Sequence, residues 1–571
     1  MSSAETFSTA DRLIAAKVPE RVHAKDASLY NFSESAQQSA SQFMGWADLA
    51  SNPPYSLDDI ERFAEDAIAD GLDRVILLGE GGSSQAPMTI TKLNNLRHER
   101  IRFSVLDSLS TDYMHKVLSG IDFSRTIIIV STKSGGTLET LSLFNVMWEL
   151  CVAQIGDRRA GRRFVAITDP GSNVIELAQK KHFRGIFLGE PTVGGRFSAL
   201  SVFGLVPAAL VGLNIKEFIS RAAEVEELCA QNSPQNPAIE LASFLYENTQ
   251  KESAYCFSYL SPQPGRVLGL WIEQLISESL GKHGKGIVPH IEIDPSLLNS
   301  PLPKHPAIIY HTSVDASFTR EIATIEQTVP TFTFWLEDPL DIGGQFIIWE
   351  YATAFLGYLM QVPPFDQPDV QSAKDCTKRA MAGELSSELT SLDTPWCTFE
   401  MTDELKGLVG EPESLADLLD AFAGVVEKDN WISVNAFLPF TGERRGPLEV
   451  IRHTLSRQIG VPTAFEVGPR YLHSTGQLQK GGVNNGVFLI LSAEPNPETD
   501  IAVPLSDPEY TLEEIQAAQA KGDLAALSER DRRALHLHLC DCTAETIWKL
   551  AHAIEEVGTR LAIKHATCHE N

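Results

Sequence analysis

The chain has 571 residues, a hydrophobic content of 43% and a formal net charge of −28. Its length suits two or three domains, and its hydrophobic content allows large cores. The acidic excess argues against nucleic acid or an anionic membrane as a ligand, because both require a basic surface. The eight cysteines are mostly isolated, which predicts reduced thiols and, with no secretion signal in MSSAETFSTADRL, a cytoplasmic location.

Helical patterns alternate with short apolar runs, which predicts an α/β fold with largely parallel sheets. We expect a helical arm over residues 1–50 and a doubly wound domain over 51–235. A second α/β domain is expected over 236–393. The α/β region over 394–571 either completes that second domain or stands apart. The apolar stretch 199–213 is too short to span a bilayer and predicts a buried helix.

A predicted strand at 75–78 is followed by the loop GEGGSS, which contains Gly82 and Ser83. Glycine lets the backbone approach a ligand closely, and serine adds hydrogen-bond donors. A plain strand-to-helix turn without function would look much the same.

A second loop of this kind follows the predicted strand at 127–130 and precedes a predicted helix at 138–150. The sequence STKSGGTLET gathers Thr132, Lys133, Ser134 and Thr137 at a helix N-terminus, where the helix dipole favours an anion. The lysine precedes the glycines and no GK[ST] ending follows, so the loop is not that of the nucleoside triphosphatases. Two such loops in succession predict a phosphate site for a small ligand at the carboxyl edge of the sheet.

Further along the chain, Arg196 lies in VGGRFS, before an apolar helix. In the predicted helix at 267–280, Gln274 and Glu278 are four residues apart and share a face. Glu278 is near the helix C-terminus, where the dipole disfavours a carboxylate and raises its pKa, as a general base requires. The alternative is a glutamate on a solvated helix face. Lys374 ends PPFDQPDVQSAK, in which two prolines stiffen the backbone. Either this rigid segment holds the lysine at a fixed position, or the segment simply leads into a capped helix with an exposed lysine.

One cluster in the C-terminal region is typical of a metal site. His536, His538, Cys540 and Cys542 alternate with leucines in LHLHLCDC, which puts all four on one face of a strand. Neighbours on that face are about 6–7 Å apart, which is too wide for one metal without other ligands. A sheet strand with a leucine face is the favoured interpretation, and we predict no metal.

Taken in order, GEGGSS, STKSGGTLET, VGGRFS, QLISESLGK and FDQPDVQSAK resemble the phosphoglucose isomerase family, which has tandem doubly wound parallel sheets of the sugar-isomerase (SIS) type. The resemblance covers residues 70–375 strongly. The rest, including GPRYLHSTGQLQKGG, looks like the isomerase half of bacterial transaldolase–isomerase fusions, and no transaldolase barrel is expected in this chain.

The resemblance implies an aldose–ketose isomerase of glucose 6-phosphate and fructose 6-phosphate, working through a cis-enediol and needing no cofactor. It also implies a homodimer with a small sugar phosphate as its only other partner. By the same resemblance Glu278 is the catalytic base, Arg196 stabilises the enediolate and Lys374 assists ring opening. The implied substrate-binding residues are Gly82, Ser83, Thr132, Lys133, Ser134, Thr137 and Gln274.

Two departures from the family pattern leave alternatives open. The ring-opening histidine is missing from its usual place, where Leu478 follows STGQ, and His473, His290 and His311 are the other candidates. Glu80 puts a carboxylate in the first glycine loop, where it would repel a phosphate if it faced one. An isomerase of a related sugar with another C6 anion, or a non-catalytic sugar-phosphate sensor, therefore remains an alternative. A sensor needs the phosphate loop but no base.

Overall fold

The computed structural model describes residues 8–94, 101–250, 255–262, 264–291, 305–311, 316–385, 389–504 and 509–568. In these residues three sheets follow one another along the chain. The α/β class with parallel sheets that the sequence predicts is confirmed.

The first sheet is entirely parallel, with strand order β2-β1-β3-β4-β5. Its strands are β1 (Arg74–Leu78), β2 (Arg102–Leu106), β3 (Thr126–Ser131), β4 (Phe164–Thr168) and β5 (Gly185–Leu188). The central strands are buried throughout because helices cover both faces, whereas the edge strand β5 is only partly buried.

The second sheet is also parallel, in the order β7-β6-β8-β9. It consists of β6 (Cys256–Leu260), β7 (Val288–Ile291), β8 (Ala307–His311) and β9 (Thr331–Trp335). One apolar core is continuous from the N-terminal arm through both sheets and includes Leu13, Val75 and Trp271.

The C-terminal region forms a third sheet rather than extending the second one. Its order is β10-β11-β15-β14-β12-β13, with β10 and β11 antiparallel to their neighbours. The strands are β10 (Thr390–Ser391), β11 (Cys397–Met401), β12 (Trp431–Ala436), β13 (Thr463–Val467), β14 (Gly486–Ala493) and β15 (Arg533–Leu539). This sheet has a core of its own, which includes Val434, Leu489 and Leu537. The exact domain boundaries remain predictions.

The helices that cover these sheets follow the apolar periodicity of the sequence. In chain order they are α1 (Thr9–Ala15), α2 (Val18–His23), α3 (Glu34–Phe43), α4 (Leu57–Ala69), α5 (Gly82–Leu93), α6 (Thr111–Leu118), α7 (Leu138–Ile155), α8 (Asp157–Ala160), α9 (Asn173–Lys180), α10 (Val202–Leu210), α11 (Ile215–Cys229), α12 (Pro237–Thr249), α13 (Arg266–Leu280), α14 (Ala316–Thr328), α15 (Ile342–Met360), α16 (Val370–Met381), α17 (Asp403–Val409), α18 (Leu415–Gly424), α19 (Arg445–Ile459), α20 (Gly476–Gly481), α21 (Leu512–Ser528) and α22 (Ala544–Cys568). Among the described helices, none has the length and apolar character needed to cross a membrane.

The N-terminal arm is packed into the body of the protein through aromatic contacts. Trp46 is fully buried and stacks on Phe197 with ring centroids 4.9 Å apart. The edge of its indole meets Tyr351 on α15 at 5.3 Å. The arm therefore supports the segment that carries Arg196, one residue before Phe197.

We expect Trp46→Ala to lower the free energy of unfolding by about 3–5 kcal/mol, because it leaves a large cavity between three aromatic rings. The shift of the first urea-unfolding transition, followed by fluorescence and circular dichroism, measures this loss. The matched control is Trp335→Ala, since Trp335 is 64% exposed. Its cost should stay within about 1 kcal/mol. Equal effects of the two changes would contradict a structural role for the arm.

Candidate active site

The predicted phosphate loop lies at the carboxyl end of β3, between Ser131 and the N-terminus of α7. Gly135 has a φ of 73°, and a Cβ at this position would lie 2.1 Å from the Ser172 Oγ. The Thr132 and Thr137 hydroxyl oxygens are 3.0 Å apart and close the loop. The hydroxyls are thus gathered at a helix N-terminus, where a phosphate is bound favourably.

Lys133 from the same loop is already paired. Its ammonium donates to the Asp169 carboxylate and, at 3.3 Å, to the Glu190 carbonyl oxygen. Asp169 therefore balances the lysine charge in the structure. We expect the hydroxyls and backbone N–H groups, more than Lys133, to hold a phosphate.

The first glycine loop brings three distant segments together. Gly81 has a φ of 57°, and a Cβ on it would lie 2.8 Å from Gln274 Nε2 and 2.9 Å from the His473 carbonyl oxygen. A Cβ on Gly82 would lie 1.9 Å from the Gly195 carbonyl oxygen. Any side chain at Gly81 or Gly82 would force these segments apart. Ser83 follows at the start of α5 and is partly exposed.

Arg196 is buried, and each of the three nitrogens of its guanidinium donates a hydrogen bond. Its Nε donates to Ser279 Oγ at 2.7 Å, and its Nη1 donates to Gln367 Oε1 at 2.8 Å. Its Nη2 donates to the Pro364 carbonyl oxygen at 2.7 Å. These contacts fix the cation 3.7 Å from the Glu278 carboxylate.

Glu278 lies near the C-terminus of α13, with 7% of its surface exposed, so it is not a glutamate on a solvated helix face. Burial raises its pKa, while Arg196 and a 3.3 Å hydrogen bond from Gln274 Nε2 partly offset the rise. The sequence predicted a raised pKa from the helix dipole, but the main cause is desolvation. A carboxylate tuned in this way suits general-base catalysis near neutral pH.

The C-terminal region adds a histidine to this site. His473 Nε2 is 3.0 Å from Glu139 Oε1, and Gln519 Nε2 donates to the same oxygen at 2.6 Å. Although burial alone would raise the pKa of Glu139, His473 lowers it below its usual range. Gln274 also donates to the His473 carbonyl oxygen at 3.0 Å. Sequence reasoning missed Glu139 and Gln519, although Glu139 stands inside the phosphate-loop motif.

The other two candidate histidines are placed on the second sheet. His290 lies on β7, and His311 on β8 is stacked on Trp335 with ring centroids 4.0 Å apart. Of the three candidates, His473 is the one the structure brings into contact with Gln274.

Two lysines near the site differ in environment. Lys374 is exposed on α16, and within the part of the chain that the structure describes its ammonium makes no hydrogen bond or ion pair. Lys282 is fully buried and donates to Asp366 Oδ1 at 2.8 Å and to the Asp366 carbonyl oxygen. Burial lowers the pKa of Lys282 to about 8. Sequence reasoning assigned no role to Lys282, although this residue ends the motif QLISESLGK.

Glu80 in the first glycine loop is buried, and neither carboxyl oxygen has a hydrogen-bond partner among the described residues. Burial, together with the nearby Glu139 and Asp107 carboxylates, raises its pKa well above the usual range. Burial and these neighbours therefore disfavour the charged form of Glu80, which reduces its repulsion of a bound phosphate.

The histidines of the leucine-rich strand β15 are hydrogen-bonded rather than arranged around an ion. His536 Nε2 and His538 Nδ1 lie 2.7 and 2.8 Å from the Ser492 Oγ, and Cys540 is exposed. Across the described ranges, no group of three or more histidine, cysteine or acidic side chains could hold a metal.

Residues 65–286 match the sequence model of the family described as phosphoglucose isomerase. A glucose-6-phosphate isomerase from Mycoplasmopsis pulmonis is 28% identical over 384 residues, which cover 58% of this chain and 88% of that protein. Another from Carboxydothermus hydrogenoformans is 32% identical over 251 residues, covering 42% and 53%. The crystal structure of a glucose-6-phosphate isomerase from Chlamydia trachomatis has a TM-score of 0.54 at 18% identity and covers 64% of this chain and 86% of that one. The resemblance to phosphoglucose isomerase and the SIS-type fold are confirmed.

We expect Ser134→Ala combined with Thr137→Ala to weaken the binding of a sugar 6-phosphate at least tenfold. Each lost hydrogen bond to a charged group is worth about 1.5–3 kcal/mol, and backbone N–H groups retain part of the affinity. Titration calorimetry measures the change, with Ser220→Ala on the exposed face of α11 as the control. Unchanged affinity in the double variant would place the phosphate elsewhere.

Proposed function

We propose that this protein is an aldose–ketose isomerase that interconverts glucose 6-phosphate and fructose 6-phosphate. The observation that carries the proposal is a buried glutamate of raised pKa, Glu278, held 3.7 Å from a buried arginine beside the phosphate loops. The glucose-6-phosphate isomerases to which the chain is similar support the same reaction. A sugar-phosphate sensor would need the loop but not this pair.

The isomerisation step follows from these groups. With the phosphate bound at residues 132–137 and at Gly82 and Ser83, Glu278 takes the proton from C2 of the open-chain aldose and returns it to C1. The intermediate is a cis-enediol, whose developing negative charge lies on the oxygens of C1 and C2. Arg196 stabilises this charge, and because its donors are already fixed it needs no reorganisation during the reaction. Gln274 orients the base.

Ring opening must precede isomerisation, because sugar phosphates are mainly cyclic. We assign this step to His473. Its Nε2 atom lies 3.0 Å from the Glu139 Oε1 atom, and a carboxylate orients a catalytic imidazole in the same way in other enzymes. The histidine transfers a proton to the ring oxygen as the C1–O5 bond breaks, and the C1 hydroxyl releases its proton to solvent as the aldehyde C=O bond forms. Lys374, with its exposed ammonium, keeps its predicted role as an assisting cation.

We also propose a homodimer in the cytoplasm. The family resemblance supports the dimer, and the free cysteines support a reducing compartment, because Cys151, Cys229 and Cys256 are buried and unpaired.

Glu278→Gln tests the mechanism directly, because it keeps the shape of the side chain and removes the base. We expect the rate of conversion of fructose 6-phosphate, in a coupled assay containing a chelator, to fall about 10²–10⁴-fold. Solvent hydrogen exchange at C1 and C2 should disappear with it, while substrate still binds.

The matched control is Glu273→Gln in the same helix. Burial disfavours the charged form of Glu273 and raises its pKa well above the usual range, so replacing it by the neutral glutamine should retain activity. If the Glu278→Gln variant isomerised at a near-normal rate, the mechanism would be wrong. A wild type that binds the sugar phosphate but neither converts it nor exchanges its protons would establish a sensor.

The pH dependence supplies a second test. Glu278 acts only when it is deprotonated, so kcat/KM should fall as the pH drops through its raised pKa, which lies above the ordinary glutamate value of about 4.3. The hydrogen bond from Gln274 lowers that pKa, so Gln274→Leu should move the acidic limb to higher pH. Gln179→Leu, at an exposed position on α9, is the control. A limb that moves to lower pH, or not at all, would exclude Glu278 as the titrating base.

A further inference from the structure

A cavity of about 300 Å³ lies apart from the site described above, between the carboxyl end of β2 and the loops of the third sheet. Its walls include the aromatic rings of Phe103, Tyr113 and Phe440. Lys92 and Arg470 provide two cations among its lining residues. The volume is at the lower end of the range for small-molecule sites.

The polar groups of this cavity are not satisfied by the protein. Asp107 is 7% exposed, and its Oδ2 atom has no hydrogen-bond partner among the described residues. The Arg470 Nη1 atom is 3.6 Å away, which is outside hydrogen-bond range. Over the same ranges, the ammonium of Lys92 takes part in no hydrogen bond or ion pair. Leaving a buried polar atom such as Asp107 Oδ2 without a partner is costly, which indicates a ligand, and the exposed Lys92 ammonium beside it is available to bind one.

The charge balance around Arg470 favours an anion. Three further buried carboxyl groups, those of Glu80, Glu273 and Glu466, act on this guanidinium. Burial raises the pKa of Glu80 and Glu273 well above the usual range and that of Glu466 to about 7. Burial thus disfavours the charged form of these three carboxyl groups and, to a lesser extent, of Asp107, which forms an ion pair with Arg470 at 3.6 Å. The negative charge that opposes the guanidinium is thereby reduced.

We propose that this cavity binds a small anionic metabolite that also bears hydroxyl groups. Its phosphate or carboxylate contacts Lys92 and Arg470, its hydroxyl groups donate to Asp107, and its carbon skeleton packs against the aromatic walls. The position is notable because Arg470 begins the short 3₁₀ turn Arg470–His473. A ligand in the cavity thus contacts one end of the turn whose other end carries His473.

Direct binding to the full-length protein tests the proposal without reference to isomerase activity. The probes are glycerol 3-phosphate and glycerate, which share a polyol skeleton and differ in phosphate or carboxylate. Both are titrated by calorimetry into the Ser134→Ala, Thr137→Ala background, in which the phosphate loop is weakened. We expect at least one probe to bind at millimolar concentration or below, and the stronger of the two identifies the anion.

Lys92→Glu, placed in the same background, should weaken that binding at least tenfold, since it reverses a charge that contacts the anion. Lys92 is exposed, so the variant is expected to fold. Lys180→Glu, at an exposed position on α9, is the matched control and should leave the affinity unchanged. Failure of both probes to bind, or binding that Lys92→Glu does not weaken, would overturn the proposal.

Discussion

The guanidinium of Arg196 is the point on which the rest of the site depends. It is removed from water, and a buried charge is tolerated only when it is paired and hydrogen-bonded. Its partners come from two parts of the chain: Ser279 on α13, and Pro364 and Gln367 in the segment before α16. The hydrogen bonds of this one cation therefore fix α13, which carries Glu278, relative to the segment that follows α15.

The same constraint explains why the first two sheets share one core. The Arg196 segment is tied to the N-terminal arm by the Trp46–Phe197 stack and to the second sheet by α13. Gly82 allows the first glycine loop to approach Gly195 closely, so the loops proposed to bind an anion and the groups proposed to move a proton meet at one place. Rigid packing around the cation is what preorganises the site for charge that develops only during reaction.

Much of this arrangement was predictable because it is local in sequence. The apolar runs predicted β1 and β3, and the four-residue spacing placed Gln274 on the same face as Glu278. The pairing of His473 with Glu139 was not predictable, because the two residues are 334 positions apart in the sequence. The raised pKa of Glu80 and the pairing of Lys133 with Asp169 depend on burial and distance, which one sequence does not reveal.

The hydrogen bond from Gln519 to Glu139 joins side chains that are 380 positions apart. During synthesis the ribosome therefore releases both anion loops, the arginine and the base long before the residues that complete the histidine pair. A nascent chain that has folded its first two sheets already contains the two predicted phosphate loops of the finished enzyme. It still lacks His473, to which ring opening is assigned. In the proposed mechanism, catalytic competence is in this way deferred until His473 and Gln519 have been synthesised and the C-terminal sheet has docked.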